Sequence, residues 1–483
     1  KGVGDIGMRS DGGKMTLENV SIEDIKSHGI YNMNGEINVK NVTLKNIGKN
    51  AIQNRGGNTN ADGLYAENIA NHAAYVAIGN VKVSNSTFKT MEGNGFYLVE
   101  GENEATLNNV TIDGVKKQGV NNNSKLTIDG LKVRNGQQNG IFNKDKGVVK
   151  AKNVDISGVA EHGINNYNTM TLENSKISNT GKGSNNLQNK GTLTIKDVDC
   201  ANSKNHGVYN TGTIKGSELE VKKAAKNGVY NNKGTFTVDK VTVDGAGEHG
   251  LNNAATMTVS NVTVKNTGDG KNNIQNAGTL SITTATLSAS KNHGIYNKGT
   301  VSGKNVTIEN PKGNGLYNTE GGVVSGIDGL IVKNAGDQGI NNTEKLTVSN
   351  VTIDGASKNG VYNKSGNATI NGIKVSGVGE HGISNAGTMS LANAEITGSG
   401  KGSNGIQNAG VLSVNKATVK DTKNHGVYNK ATISGKGLTV ENTKGNGVYN
   451  DGGTIDAING LTVKKAGDQG INNKGSFVAS NVK

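Results

Sequence analysis

Apolar and polar residues alternate along this chain in short bursts, and the bursts come in threes. Between His249 and Asn276, the first burst carries Leu251, the second Met257 and Val259, and the third Val262 and Val264. Strict alternation over three to five residues puts the apolar side chains on one face of a strand. Turns rich in Gly and Asn separate the bursts, and Ile274-Gln275-Asn276 begins the cycle again. Three short strands recurring every 21 to 24 residues predict an all-β fold. The expectation is a single-stranded parallel β-helix, a solenoid that grows by stacking.

The first strand of each turn has the form x-Gly-(Ile/Val/Leu)-x-Asn, as at His28–Asn32, Gln118–Asn122, His206–Asn210 and His293–Asn297. Variants without the Gly stand at Asn50–Asn54, Asn185–Asn189 and Asn272–Asn276; Asn94–Leu98 loses the Asn, and His72-Ala-Ala-Tyr75 is a degenerate copy. The count reaches about 21 coils, or roughly 100 Å of stacked strands at about 4.8 Å each. Blocks of several coils are copied as units: Glu161-His162-Gly163 recurs at Glu248 and Glu380, each followed two coils later by a His-Gly at His206, His293 and His425. Residues 1–117 are less regular than residues 118–483, and 55–78 is the expected place for a protruding loop. The ends read as cut from a longer protein, with the C-terminus stopping partway through a coil.

The Asn that closes the marker keeps its identity while its neighbours drift. The row runs through Asn32, Asn54, Asn122, Asn143, Asn166, Asn189 and Asn210, then Asn231, Asn253, Asn276, Asn297, Asn318 and Asn342. It continues through Asn363, Asn385, Asn408, Asn429, Asn450 and Asn473. A buried amide stack at a corner explains such a row, because each side chain can bond its own turn and the next coil. The preceding Gly, as in Gly250, is a bend where a Cβ would obstruct the chain. Sequons such as Asn41-Val42-Thr43 and Asn261-Val262-Thr263 read as strand text.

Composition supports a thin core. Apolar residues make up 32% of the chain, too few for a large globular core but enough for five or six inward side chains per coil. The only Pro is Pro311, which suits strands whose amides must all pair. Cys200 is the only cysteine, so no intrachain disulfide can form, and it reads as a small buried residue. No run of 18 apolar residues is present, so no membrane-spanning helix is expected.

Candidate chemistry is sparse. All eight histidines, His28, His72, His162, His206, His249, His293, His381 and His425, occupy the residue before Gly or its equivalent, two or more coils apart. Ligands of one ion must converge to about 2 Å from it, so no metal site is expected. Asn or Gln fills the slot in other coils, which points to a hydrogen-bonding corner. Glu161, Glu248 and Glu380 share one copied slot; Glu248 with Asp269, or Glu380 with neighbours, are the carboxylates a glycosidase could use. No catalytic residue and no cofactor is assigned. Tyr209, Tyr230, Tyr296, Tyr317, Tyr362, Tyr428 and Tyr449 form a partial outward column, a candidate contact strip beside the Asn row. Thr43, Thr242, Thr263 and Thr352 mark another outward row, explained by β-propensity.

The net charge is +13, with Lys204, Lys226, Lys291, Lys312, Lys423 and Lys444 in turns that lead to the marker. Arg is scarce and Trp absent, so nucleic acid is not an expected partner. Anionic glycans, lipopolysaccharide or host surface molecules fit better, as does self-association.

With these residues in place, the rhythm Gly-(Val/Ile/Leu)-Tyr-Asn-x-Gly-Thr, as in the stretches from His206 and Asn227, resembles bacterial autotransporter passengers and related surface adhesins with a pectate-lyase-like β-helix. The likeness covers nearly the whole chain. It implies a right-handed parallel β-helix, a bacterial cell-surface (outer-membrane) or secreted location and a non-catalytic role in adhesion, aggregation or biofilm formation. No Gly-Asp-Ser-Gly motif of the family's protease branch is present. The alternative is a polysaccharide-degrading hydrolase or lyase on the same fold.

Overall fold

A computed structural model describes residues 4–483. These divide into two units, one ending at Thr242 and the other beginning at Val243. Each unit is a parallel β-solenoid. The chain is all-β among the described residues and right-handed, with 22 three-residue strands that mark 22 coils. The coil that the marker pattern misses is the first, Met8–Ser10, which pairs with Ile30–Asn32 although Ser10 stands where Asn is expected. No helix of the described residues is long and apolar enough to cross a membrane.

The three-residue strands stack in one sheet of each unit with their middle residues facing outward and the flanking ones inward. Val208, Tyr209 and Asn210, for example, stand opposite Val229, Tyr230 and Asn231. The second and third bursts differ from the sequence expectation of separate short strands. They are separate only in the first coils, as in Lys14–Glu18 and Ser21–Ile25. From Asn80 to Ala466 they run together as strands of 10 to 13 residues, such as Asn80–Met91, Thr256–Lys265 and Val323–Ala335. A single residue with left-handed φ, such as Asn261 at φ 50°, turns the corner, so pairing resumes immediately on the other side.

Residues 55–78 hold regular strands. Asn58–Asp62 and Tyr65–Ile69 pair with Glu36–Lys40 and Thr43–Ile47 in the preceding coil, and Ala74–Val76 pairs with Ile52–Asn54. The expected protrusion is therefore not formed. Ala61, Ala66, Ala73 and Ala74 supply small inward side chains that are fully or almost fully buried, and this small-residue text hides the strand rhythm. Pairing also continues across residue 118, from Glu104–Val115 to Lys125–Arg134.

The core is one coil thick. Leu251, Met257, Val259, Val262 and Val264 are all at most 2% exposed, and each such side chain contributes about 1.5–3 kcal/mol of burial. Gly250 marks a tight approach: a Cβ there would lie 2.1 Å from Val264 Cγ1 and 2.8 Å from the Asn273 carbonyl oxygen.

Candidate functional site

Three ladders and one exposed face account for the recurring polar residues. The first ladder is the closing Asn, fully buried from Asn122 to Asn231. In the first unit each Nδ2 from Asn122 to Asn210 donates to the Oδ1 of the Asn in the next coil at 2.8–2.9 Å. In the second unit the links from Asn253 to Asn473 span 2.7–2.9 Å. Most of these amides also bond their own turn, as Asn166 Nδ2 does with the Asn168 carbonyl at 2.9 Å. Asn473, at the last coil, is exposed. Near the start, Thr59 bridges the row, donating to Asn54 Oδ1 and accepting from Asn32 Nδ2. Val76 and Leu98 replace the Asn in two coils, where buried Asn103 donates to the carbonyls of Ala77 and Val99 instead. Sequence reading missed Asn103, which lies in a turn and outside the marker.

The second ladder is the slot before the Gly. All eight histidines use Nδ1 to accept the backbone N–H of the slot residue one coil on, at 2.9–3.4 Å. Asn and Gln do the same with their side-chain oxygen, as Asn185 Oδ1 does for His206 N–H at 3.0 Å and Gln338 Oε1 for Asn359 N–H at 2.9 Å. The slot therefore requires an acceptor, and histidine meets it only with Nδ1 unprotonated. Burial lowers the pKa of His206 to about 4, helped by Lys226, and His72, His162, His249 and His293 are shifted likewise by burial. Among the described residues no group of three or more His, Cys, Asp or Glu could hold a metal ion. Glu161 and Glu380 accept from Asn139 Nδ2 and Asn359 Nδ2 of the slot one coil back, at 2.8 and 3.0 Å.

The third ladder was not foreseen. The corners at either end of the third burst take left-handed φ, mostly at Asn, Asp or Gly. Exposed Asn side chains link there from coil to coil: Asn41 to Asn19 at 3.2 Å, Asn109 to Asn85 at 3.1 Å and Asn334 to Asn310 at 3.0 Å. Asn41 and Asn261 of the sequons sit at such corners with φ 50°. Asn reaches this backbone region at low cost. That accounts for Asn-Val-Thr recurring at this point of the coil.

The outward face of the three-residue strands carries the tyrosines. Tyr209 stands beside Tyr230, Tyr296 beside Tyr317, and Tyr428 beside Tyr449, all half-buried. Tyr362 is single, between Asn341 and Ser384. Tyr75 and Tyr97 form a further pair, which the degenerate marker text concealed. Lys298 lies 5.3 Å from the Tyr296 ring and Lys430 5.5 Å from that of Tyr428. Lys204, Lys226, Lys291, Lys312, Lys423 and Lys444 are exposed and make no ion pair among the described residues.

Carboxylates gather at a different place from the copied Glu slots. Asp197, Asp199, Glu218 and Glu220 line a shallow hollow of about 240 Å³ with Lys240, and burial followed by Glu220 raises the Asp199 carboxyl. Asp269 is exposed and Glu248 half-buried. Cys200 is 1% exposed, and burial pushes its thiol well above its ordinary range.

No family model matches the chain, and no curated protein matches it. Among solved structures, the N-terminal fragment of bacteriophage Phi29 gene product 12 is similar at 12% identity with a TM-score of 0.27, over 91% of this chain and 88% of that one. A likeness at that level carries no argument about activity.

Proposed function

We propose that this chain is a surface-displayed or secreted β-helical passenger that acts by contact, in adhesion, aggregation or biofilm formation, and has no catalysis of its own. The supporting observation is the outward chemistry, which recurs in blocks along each unit: tyrosines on one strand face and exposed, unpaired lysines such as Lys204, Lys291 and Lys423 in the adjoining turns. Each exposed cation contributes only about 0–1 kcal/mol, so useful adhesion requires many of them and many copies per cell. Anionic glycans, lipopolysaccharide or host surface molecules suit a chain of net charge +13, and copies can also associate with one another. The test is display on a bacterium that does not clump, scored for aggregation and binding to mucin-coated surfaces. Adhesion should be strong at low salt and weaken markedly at physiological salt. Cells indistinguishable with and without the chain would remove the proposal.

The polysaccharide-degrading alternative finds its best carboxylate in Asp199, half-buried and raised beside Glu220 as a general acid would be. Reducing ends released from acidic or neutral polysaccharides, and abolished by Asp199→Asn, would promote this reading above the first.

A further inference from the structure

We propose that the paired tyrosines are binding platforms for an acidic, extended, β-linked glycan that lies along the coil axis of each unit. This deepens the contact reading above and rests on it. The rungs of the outward face follow an order that simple ring stacking does not require. Gln275, Tyr296, Tyr317 and Asn341 stand in successive coils, as do Gln407, Tyr428, Tyr449 and Asn472. Gln53, Tyr75, Tyr97 and Asn121 repeat the order, and Gln188, Tyr209 and Tyr230 begin it again. Two rings flanked by amides thus recur, six coils apart within each unit.

The geometry repeats with the order. In all four pairs a histidine stacks on the first tyrosine at 5.7–5.9 Å and meets the second at a steep angle at 5.1–5.4 Å. The two tyrosines sit edge to face at 5.3–5.5 Å. The rings are therefore held in place by the coil and lose little freedom on binding. Successive rungs lie about 4.8 Å apart, close to the rise of one pyranose in an extended β-linked chain. Because the two rings stand edge to face, one sugar can rest its apolar face on one ring and pack against the edge of the other, while its neighbours meet the amides.

Charge narrows the ligand. Three of the four pairs have an exposed lysine four or five residues before each tyrosine: Lys204 and Lys226, Lys291 and Lys312, Lys423 and Lys444. Ala70 and Glu92 take those places ahead of Tyr75 and Tyr97, so that pair has no lysine there, although Lys144 lies 5.7 Å from the Tyr97 ring. Glu320 and Asp451 accept from the hydroxyls of Tyr296, Tyr428 and Tyr449, but each is itself paired with lysine (Lys298, and Lys430 with Lys474), so the turn lysines supply the excess charge that would favour an acidic sugar chain.

The purified 483-residue protein is titrated calorimetrically with a hyaluronan octasaccharide, which is β-linked and acidic. Chitohexaose serves as the uncharged β-linked control and an oligogalacturonate as the acidic α-linked one. Hyaluronan should bind, and each control should bind about tenfold more weakly. The decisive variant carries Tyr209→Gln, Tyr230→Asn, Tyr296→Gln, Tyr317→Asn, Tyr428→Gln and Tyr449→Asn. Gln and Asn already fill equivalent rungs, so its melting should stay within a few degrees of the parent, while hyaluronan affinity falls by about tenfold or more. Absence of hyaluronan binding, equal binding of the oligogalacturonate, or an unchanged tyrosine variant would each overturn the proposal. Displayed cells separate it from the broader reading. If the tyrosine variant still adheres, contact stands without the platforms; if the parent binds hyaluronan but its cells do not adhere, the platforms stand without the adhesive role.

Discussion

Asn276 donates to the carbonyls of Gly278 and Thr300 and to Asn297 Oδ1, while its own Oδ1 accepts from Asn253. Asn276→Ala should therefore cost about 1–3 kcal/mol, read as a lower denaturant midpoint, since it strands buried partners in both adjoining coils. Unchanged melting would show that the row does not hold the corner. The histidine slot has a different sensitivity. The folded chain keeps His206 and His293 neutral, with pKa values near 4 against an ordinary 6.5, so the unfolded chain binds more protons between those values. Stability is then full above about pH 6.5 and falls as pH drops toward 4, by about 1–3 kcal/mol for each such histidine after allowance for partial exposure. His206→Gln with His293→Gln should reduce the fall in melting temperature between pH 7 and pH 4.5 by the share of those two histidines, because Gln already serves this slot at Gln118 and Gln338. The Asn row is legible in sequence because one identity persists through drifting surroundings. The histidine role is legible only in part: Asn and Gln at the same slot indicate a hydrogen bond, but not that the ring must accept a backbone N–H from the next coil.

At the scale of the strand, period-two alternation locates the three-residue strands and the inward set, since burial forces apolar side chains onto one face. It does not reveal that the second and third bursts are one strand, because the corner between them takes a single residue with left-handed φ and leaves no longer turn to read. Nor does it find Met8–Ser10, which lacks the Asn, or the strands of 58–76, where alanines take inward positions at Ala61, Ala66 and Ala74. The corner itself is testable. Thr284 holds φ 52° where most coils place Asn or Gly, and a β-branched residue is strained there. Thr284→Asn should raise stability by about 1 kcal/mol, measured as a higher denaturant midpoint with an unchanged slope. A lower midpoint would mean that Thr284 makes a compensating contact.

At the scale of the molecule, repetition makes the fold readable and the function hard to read. A residue that recurs in every coil serves the coil whether or not it also meets a ligand, and a contact surface built from such residues leaves no break in the pattern. Copying by blocks offers a way to separate the two roles. His293 and His425 hold the same slot, and their Nδ1 atoms accept the N–H of Asn314 and Asn446 at 2.9 Å each. Deleting Gly294 through His425 joins His293 to Gly426 and restores the sequence Lys-Asn-His-Gly-Val-Tyr-Asn, so each junction residue finds the partner type it had before. Coils of a solenoid contact only their neighbours, and stability is close to a sum of coil and interface terms. The shortened chain should fold cooperatively, with unchanged β-signal per residue and a smaller denaturant slope in proportion to the surface lost. It also loses one tyrosine pair with Lys312 and Lys423, so displayed cells should adhere less than the parent by more than the fraction of chain removed, as linked weak contacts require. A folded deletion variant that adheres as well as the parent would show that the repeated face is not the contact surface.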